Sequence, residues 1–328
     1  MGKTRVILTV DTEPSVAGAM SDRSRYSPLL DEPVWGEVNG RSEALGFITR
    51  TLDKYRLKAT FFVETVHTRY FGADRMKRYT DHLLESEQDI QLHIHPVWQN
   101  FDLPESARQR YFDDCSELCL DELAELIGEG CEQIEAWTGV RPVAMRTGNF
   151  SSSRSVYQAM KKAKLALASN ICIASASYSD KSIAHSGGIH EIESVHELPA
   201  SCFVDPGPIG RGRYRAAQVT ACSSIEIINL LKQCTRGSIR TMVLVTHPFE
   251  FLKKADFRYT SLRPNVLVQK RLEEICRFLS ENPADFEVST FSGIASESPL
   301  ITEPAPDLQS SITSSIIRSA QNFINDRT

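Results

Sequence analysis

Short β-branched or apolar runs, separated by amphipathic stretches of helical spacing, constrain this chain more than any other feature. The runs fall at residues 6–10, 59–63, 90–93, 142–145, 165–168, 191–198, 241–245 and 286–288. Continuous apolar character in a short β-branched or aromatic segment predicts a strand covered on both faces, as in a parallel sheet. Stretches at 42–55, 75–85, 105–137, 153–162, 224–234 and 265–279 predict the connecting helices. In the first of these, Leu45, Ile48, Leu52 and Tyr55 recur at three- and four-residue spacing, which places them on one helix face. Such alternation argues a parallel α/β sheet, open or closed into a barrel. At 328 residues and 41% hydrophobic, the chain can bury a full core, as one large domain or two small ones.

Two segments break the rhythm. Residues 14–40 follow the first strand directly and carry Tyr26 and Trp35; a loop that long at the carboxyl end of a strand is usually functional or disordered. Residues 292–328, rich in Ser, Pro and Thr, carry a weak amphipathic stretch near 312–324 and are expected to be a poorly ordered tail or a docking helix behind a domain at 1–291. The formal charge of −5 gives no global attraction to nucleic acid or an anionic membrane. Arg211-Gly-Arg-Tyr-Arg215 is a local basic exception, read as a solvated loop or a phosphate contact. Eight scattered cysteines without a CxxC pair read as reduced, mostly buried thiols. No signal-peptide core opens the chain and no run reaches the roughly 20 apolar residues of a membrane span, so a cytoplasmic protein is expected.

In parallel α/β folds, functional groups gather where strands end at their carboxyl edge. Those edges here read Asp11-Thr12-Glu13, His93-Ile94-His95-Pro96, Arg146-Thr147-Gly148-Asn149 and Thr246-His247-Pro248. Residues i and i+2 of an extended segment project to one face, so His93 and His95 can converge on a metal ion, and Asp11 and Glu13 can both face it from a neighbouring strand.

These motifs, with Lys58-Ala-Thr-Phe-Phe-Val63 and Leu244-Val-Thr-His-Pro248, fall in an order that resembles the polysaccharide deacetylase (NodB-homology, carbohydrate esterase) family over roughly residues 5–290. The resemblance implies a distorted (β/α) barrel with seven or eight strands, extended by the 14–40 insertion. It implies a divalent metal, Zn2+ first with Co2+ or Ni2+ as alternatives, and hydrolysis of N-acetyl or O-acetyl groups on sugars. Asp11 matches the family's catalytic base. Its partner aspartate is replaced by Thr12, leaving Glu13 as the substitute metal ligand. His93 matches the first metal histidine. Val97 stands where the second usually lies, and His95 replaces it. Arg146 resembles the arginine that orients the base, and His247 the late histidine that acts as general acid. Asp180 and Asp205 are the candidates to support that histidine.

The expected substrate is an amino sugar or glycan, nucleotide- or lipid-linked, such as an intermediate of surface-polysaccharide or lipopolysaccharide assembly. Trp35 and Trp98 are candidate walls of the mouth. The competing expectations are a catalytically silent or metal-free barrel that binds a glycan or hydrolyses a non-sugar amide, and, third, a two-carboxylate glycosidase using Glu197 and Glu250. His185, His190 and His196 read as solvated or structural.

Overall fold

The computed structural model describes residues 2–101, 103, 112–207, 212–237, 239–297 and 299–327. Among them, nine strands form one sheet: β1 (Thr4–Thr12), β2 (Thr60–Glu64), β3 (Asp89–Ile94), β4 (Ala144–Thr147), β5 (Leu167–Ala168), β6 (His190–Ile192), β7 (Val195–Glu197), β8 (Thr241–Thr246) and β9 (Phe286–Ser289). The order is β8-β1-β2-β3-β4-β5-β7-β6. All neighbours run parallel except the β6–β7 hairpin. One edge of β1 pairs with β8, while β9 (at Thr4–Ile7) and β2 (at Thr9–Thr12) divide the other.

The sheet closes irregularly. A ribbon of Cys202–Asp205 and Arg213–Ala216 fills the gap between β7 and β8. Across it, the Ser201 N–H donates to the Val243 carbonyl (3.0 Å) and the Val219 N–H to the Val245 carbonyl (3.1 Å). Eight parallel strands and this closure make the distorted (β/α) barrel expected from the sequence.

Alternation along the strands sorts side chains into two layers. Val6, Leu8 and Val10, with Phe61, Val63, Leu92 and Ile94, face a sheath of helices: α1 (Leu45–Lys54), α2 (Ala73–Glu85), α3 (Leu120–Thr138), α4 (Arg154–Lys162), α5 (Ser224–Gly237) and α6 (Val266–Glu281). Ile7, Phe62, Ala144 and Val243 face the barrel interior, where Phe291 and Ile294 plug the amino-terminal end. The same parity carries Thr9 and Asp11, His93, and Arg146 up the interior to the carboxyl end. An apolar floor and a polar mouth follow from one alternation.

A last helix, α7 (Ile312–Arg327), docks through Arg318, whose guanidinium sits buried between the carboxylates of Asp205 and Glu226. Among the described residues no helix is long and apolar enough to cross a membrane. All eight cysteines are free, with Cys119 exposed and the others buried.

Two expectations change. The run at 191–198 is a hairpin rather than one strand, because Glu193 (φ 51°) and Ser194 (φ 69°) make a two-residue turn between the paired Ile192 and Val195. The helix expected at 105–137 begins at Leu120. Asp114 accepts a hydrogen bond from the Ser116 N–H and sets up a separate short turn at Cys115–Glu117. Residues 105–111 lie outside the described residues, as does Arg211 of the basic stretch.

Candidate active site

Arg146 is fully buried beneath the mouth. Its Nη1 donates to Asp11 Oδ1 (2.6 Å) and Thr9 Oγ1 (2.9 Å), its Nε to the Ser169 carbonyl (3.1 Å) and its Nη2 to Ser169 Oγ (2.7 Å). The guanidinium also lies 4.4 Å over the Phe62 ring. Asp11 is therefore fixed by a charge-assisted bond from a cation that is itself held on several sides. The second Asp11 oxygen, Oδ2, stands 3.7 Å from His247 Nε2.

His247 opens a short turn, Pro248–Phe251, which brings Glu250 back beneath it; His247 Nδ1 lies 2.9 Å from Glu250 Oε1. Gln218, Thr220 and Thr246 donate to the same carboxylate. Burial pushes the His247 imidazole down, but the Glu250 carboxylate, followed by Asp11 and Glu13, more than reverses this and raises it to about 9. For Glu250, burial pushes upward, and His247 holds the carboxyl below its usual range.

Beside this pair, three ligand-type atoms converge. Glu13 Oε2 lies 2.9 Å from His93 Nε2 and 2.6 Å from His95 Nε2. His93 Nδ1 is 2.8 Å from the Arg146 carbonyl, and His95 Nδ1 is 2.8 Å from Asp113 Oδ2. A carbonyl oxygen only accepts, so His93 carries a proton on Nδ1, which leaves Nε2 as the nitrogen that can offer a lone pair to a cation beside Glu13. Asp113 asks the same of His95. Two such lone pairs against a carboxylate need a positive charge where they meet. Two imidazoles and a carboxylate are a donor set zinc accepts, and a carbonyl and a carboxylate behind them are the partners that ligating histidines usually have. The residues fit a divalent cation.

Without an ion between them, a proton on His95 meets the same demand for positive charge. Burial would raise Glu13, yet His95 and then His93 hold it well below the carboxylate range. Burial would lower His95, yet Glu13 and then Asp113 lift it well above the usual imidazole.

The surroundings fix these groups in place. Glu64, ending β2, accepts from the N–H groups of Val66 (2.9 Å) and His67 (2.8 Å) and from the backbone N–H of His95 (3.3 Å). A Cβ at Gly148 would stand 2.3 Å from His95 Nδ1, so only glycine admits the ring. Asn149, in the left-handed region at φ 56°, donates to Asp113 Oδ2 (2.8 Å). Above the cluster opens a cavity of about 230 Å³ lined by Glu13, His95, Asp113, Phe249, Lys254 and Tyr259, with Trp98 at its inner wall.

No family model and no curated protein matches this chain. Solved structures do. A protein described as a polysaccharide deacetylase from Mycobacterium smegmatis superposes over 90% of either chain with a TM-score of 0.53 at 15% identity. The chain has the polysaccharide deacetylase fold. A family 4 carbohydrate esterase from Streptomyces lividans aligns over 93% of this chain and 98% of its own (TM-score 0.42, 11% identity). A peptidoglycan deacetylase, PdaC from Bacillus subtilis, aligns over 89% of each (TM-score 0.40, 14% identity).

Within this deacetylase fold, the structure gathers all six residues singled out in the sequence: Asp11, Glu13, His93, His95, Arg146 and His247. It separates Glu13, which joins the histidine pair, from Asp11, which joins Arg146 and His247. The group beneath His247 is Glu250, not Asp180 or Asp205. Asp180 caps a surface turn and pairs with Arg154, and Asp205 holds Arg215 and Arg318. Glu250 is thus tied to His247, and Glu197 is buried against Tyr157 and the N–H groups of Asn170 and Ile171, so these two carboxylates do not face one another across a cleft. Asp113, Glu250 and Glu64 were not singled out as supports. Glu250 had a signal: a proline after a histidine starts a turn, and a turn returns residue i+3 to residue i.

Proposed function

We propose that this chain is a metal-dependent hydrolase that removes an N-acetyl group from an amino sugar. The observation that supports this most is the convergence of Glu13, His93 and His95 beside an Asp11–Arg146 pair and a His247–Glu250 pair. Glu13, His93 and His95 are the ligands in this reading, and zinc is the ion their donor set suits best. A divalent ion held there supplies Lewis-acid polarisation and a more acidic water.

The chain's own residues supply the proton transfers. Asp11, oriented by Arg146, accepts the proton of the attacking water. His247, charged because Glu250 lies beneath it, donates a proton to the departing nitrogen, which is too basic to leave as an anion. The cavity of about 230 Å³ seats the acetamido sugar, with Tyr259 and Phe249 against its apolar surface.

The test is acetate release from a chitin tetramer together with metal content. Wild type should carry about one ion per chain, and His93→Ala and His95→Ala should lose both metal and turnover. His247→Ala should keep the metal while turnover falls by about 10²–10⁴-fold. Full activity in His247→Ala would remove it from the reaction. A metal-free, amidase-silent wild type would sink the reading in favour of a barrel that only binds.

A further inference from the structure

A second cavity, about 430 Å³, lies beyond the hairpin of Leu252–Lys254 and Leu262–Pro264. Lys254 lines the catalytic cavity, and Leu262, its partner across the hairpin, lines this one. The 14–40 segment walls both, with Pro14, Ser15 and Val16 on one side and Asp31, Glu32, Trp35 and Glu37 on the other. Tyr259 lines the catalytic cavity, and burial, then the carboxylates of Glu13 and Glu32, push its hydroxyl up. The two spaces are neighbours.

The second cavity has a fixed aromatic wall. Trp35 stacks on Tyr79 (centroids 5.8 Å apart, planes at 25°) and takes the edge of His82 at 5.2 Å. The Tyr79 hydroxyl donates to Asp31 (2.7 Å), and His82 Nε2 lies 2.9 Å from Thr49 Oγ1, so both supports are tethered. The charges around Trp35 are unequal in use. Asp31 answers Arg75, Arg78 and Tyr79 together. Burial holds His82 below its ordinary value, so it is neutral near pH 7. Glu32 and Glu37 line the space with no side-chain hydrogen bond or ion pair among the described residues.

An indole face attracts the C–H face of a sugar ring and also a cation, and free carboxylates accept strongly from an ammonium group. We infer that this cavity binds a sugar unit bearing a free ammonium group, with the ring against Trp35 and the ammonium between Glu32 and Glu37. The inference rests on the saccharide reading above for the ring and on this cavity for the charge. A glycan already deacetylated at one unit would seat that unit here and present a neighbouring unit to the catalytic cleft.

Calorimetric titration of the full-length protein with a β-1,4-linked glucosamine tetramer, and separately with its fully N-acetylated counterpart, tests this at low salt. Neither arm requires turnover, so a failure of the deacetylase reading in the acetate assay leaves this result readable. Wild type should bind the glucosamine tetramer at least about ten-fold more tightly than the acetylated one, the scale of one charge-assisted contact. Trp35→Ala should weaken binding of the glucosamine tetramer by a similar factor. Glu32→Gln/Glu37→Gln, at exposed or half-exposed positions that leave the wall intact, should abolish the preference. The inference is overturned if wild type binds neither tetramer, if it prefers the acetylated one, or if the preference survives the double substitution.

Discussion

At the scale of single residues, the centre is organised by what each polar group is denied. His93 is oriented by the carbonyl that its Nδ1 donates to, and Arg146 cannot leave Asp11 because its other donors are spoken for. His247 differs, since the neighbour that does most to hold its proton is Glu250. Its folded value near 9 lies above the roughly 6.5 of an unfolded histidine, so its contribution to stability is complete below about pH 6.5 and is lost as pH rises through about 9. Turnover by a protonated His247 should decline over the same alkaline limb. Glu250→Gln keeps the side chain's size but removes the charge, so the limb should move to lower pH and kcat at pH 8 should drop by about ten-fold, within the range for an impaired general acid. A kcat–pH profile reads the shift. An unmoved limb in Glu250→Gln would mean that Glu250 is only a structural partner of the turn.

At the scale of elements, legibility followed how local the cause was. β1, β2, β3 and β8 were visible because a strand buried on both faces must be apolar throughout, and His93 and His95 were visible because strand geometry alone makes i and i+2 converge. The β6–β7 hairpin was hidden inside a single expected strand at 191–198, since its turn is made by Glu193 and Ser194 at positive φ rather than by glycine or asparagine. Asp113 was illegible for another reason: the sequence placed it inside an expected helix at 105–137, and its partner His95 is 18 residues away. The ribbon of Cys202–Asp205 and Arg213–Ala216 was likewise obscured, because its second strand is largely exposed and basic. Its burial depends on α7, whose Arg318 is the counter-ion shared by Asp205 on the ribbon and Glu226 on α5. Removing that guanidinium takes the ion-pair partner from buried Glu226 and leaves Asp205 only Arg215, so Arg318→Ala should cost about 3 kcal/mol or more in urea unfolding. Arg318→Lys, which keeps one charge but cannot fork, should recover part of the loss. A change below about 0.5 kcal/mol in Arg318→Ala would show that α7 is an ornament on the barrel rather than part of it.

At the scale of the whole molecule, the proposed ligands belong to different parts of the barrel. Glu13 follows β1, His93 and His95 belong to β3 and its end, Asp113 comes from the segment before α3, and Gly148 makes room from the end of β4. β2 lies between β1 and β3 in the sheet, so an ion here would tie strands that are not hydrogen-bonded neighbours. A ligand that binds only the folded state stabilises it by RT ln(1 + [L]/Kd), about 2.7 kcal/mol at a hundred-fold excess over Kd. At roughly 2 °C per kcal/mol for a chain of this size, zinc restored to chelator-stripped protein should raise Tm by about 3–6 °C. His93→Ala and Glu13→Gln should lose most of that rise, whereas Trp35→Ala, outside the cluster, should keep it. Calorimetry in zinc, cobalt and nickel measures the shift without reference to any substrate. A Tm indifferent to all three ions would remove the metal from the proposed chemistry, and Glu13 would then be a carboxylate neutralised by protonated histidine alone.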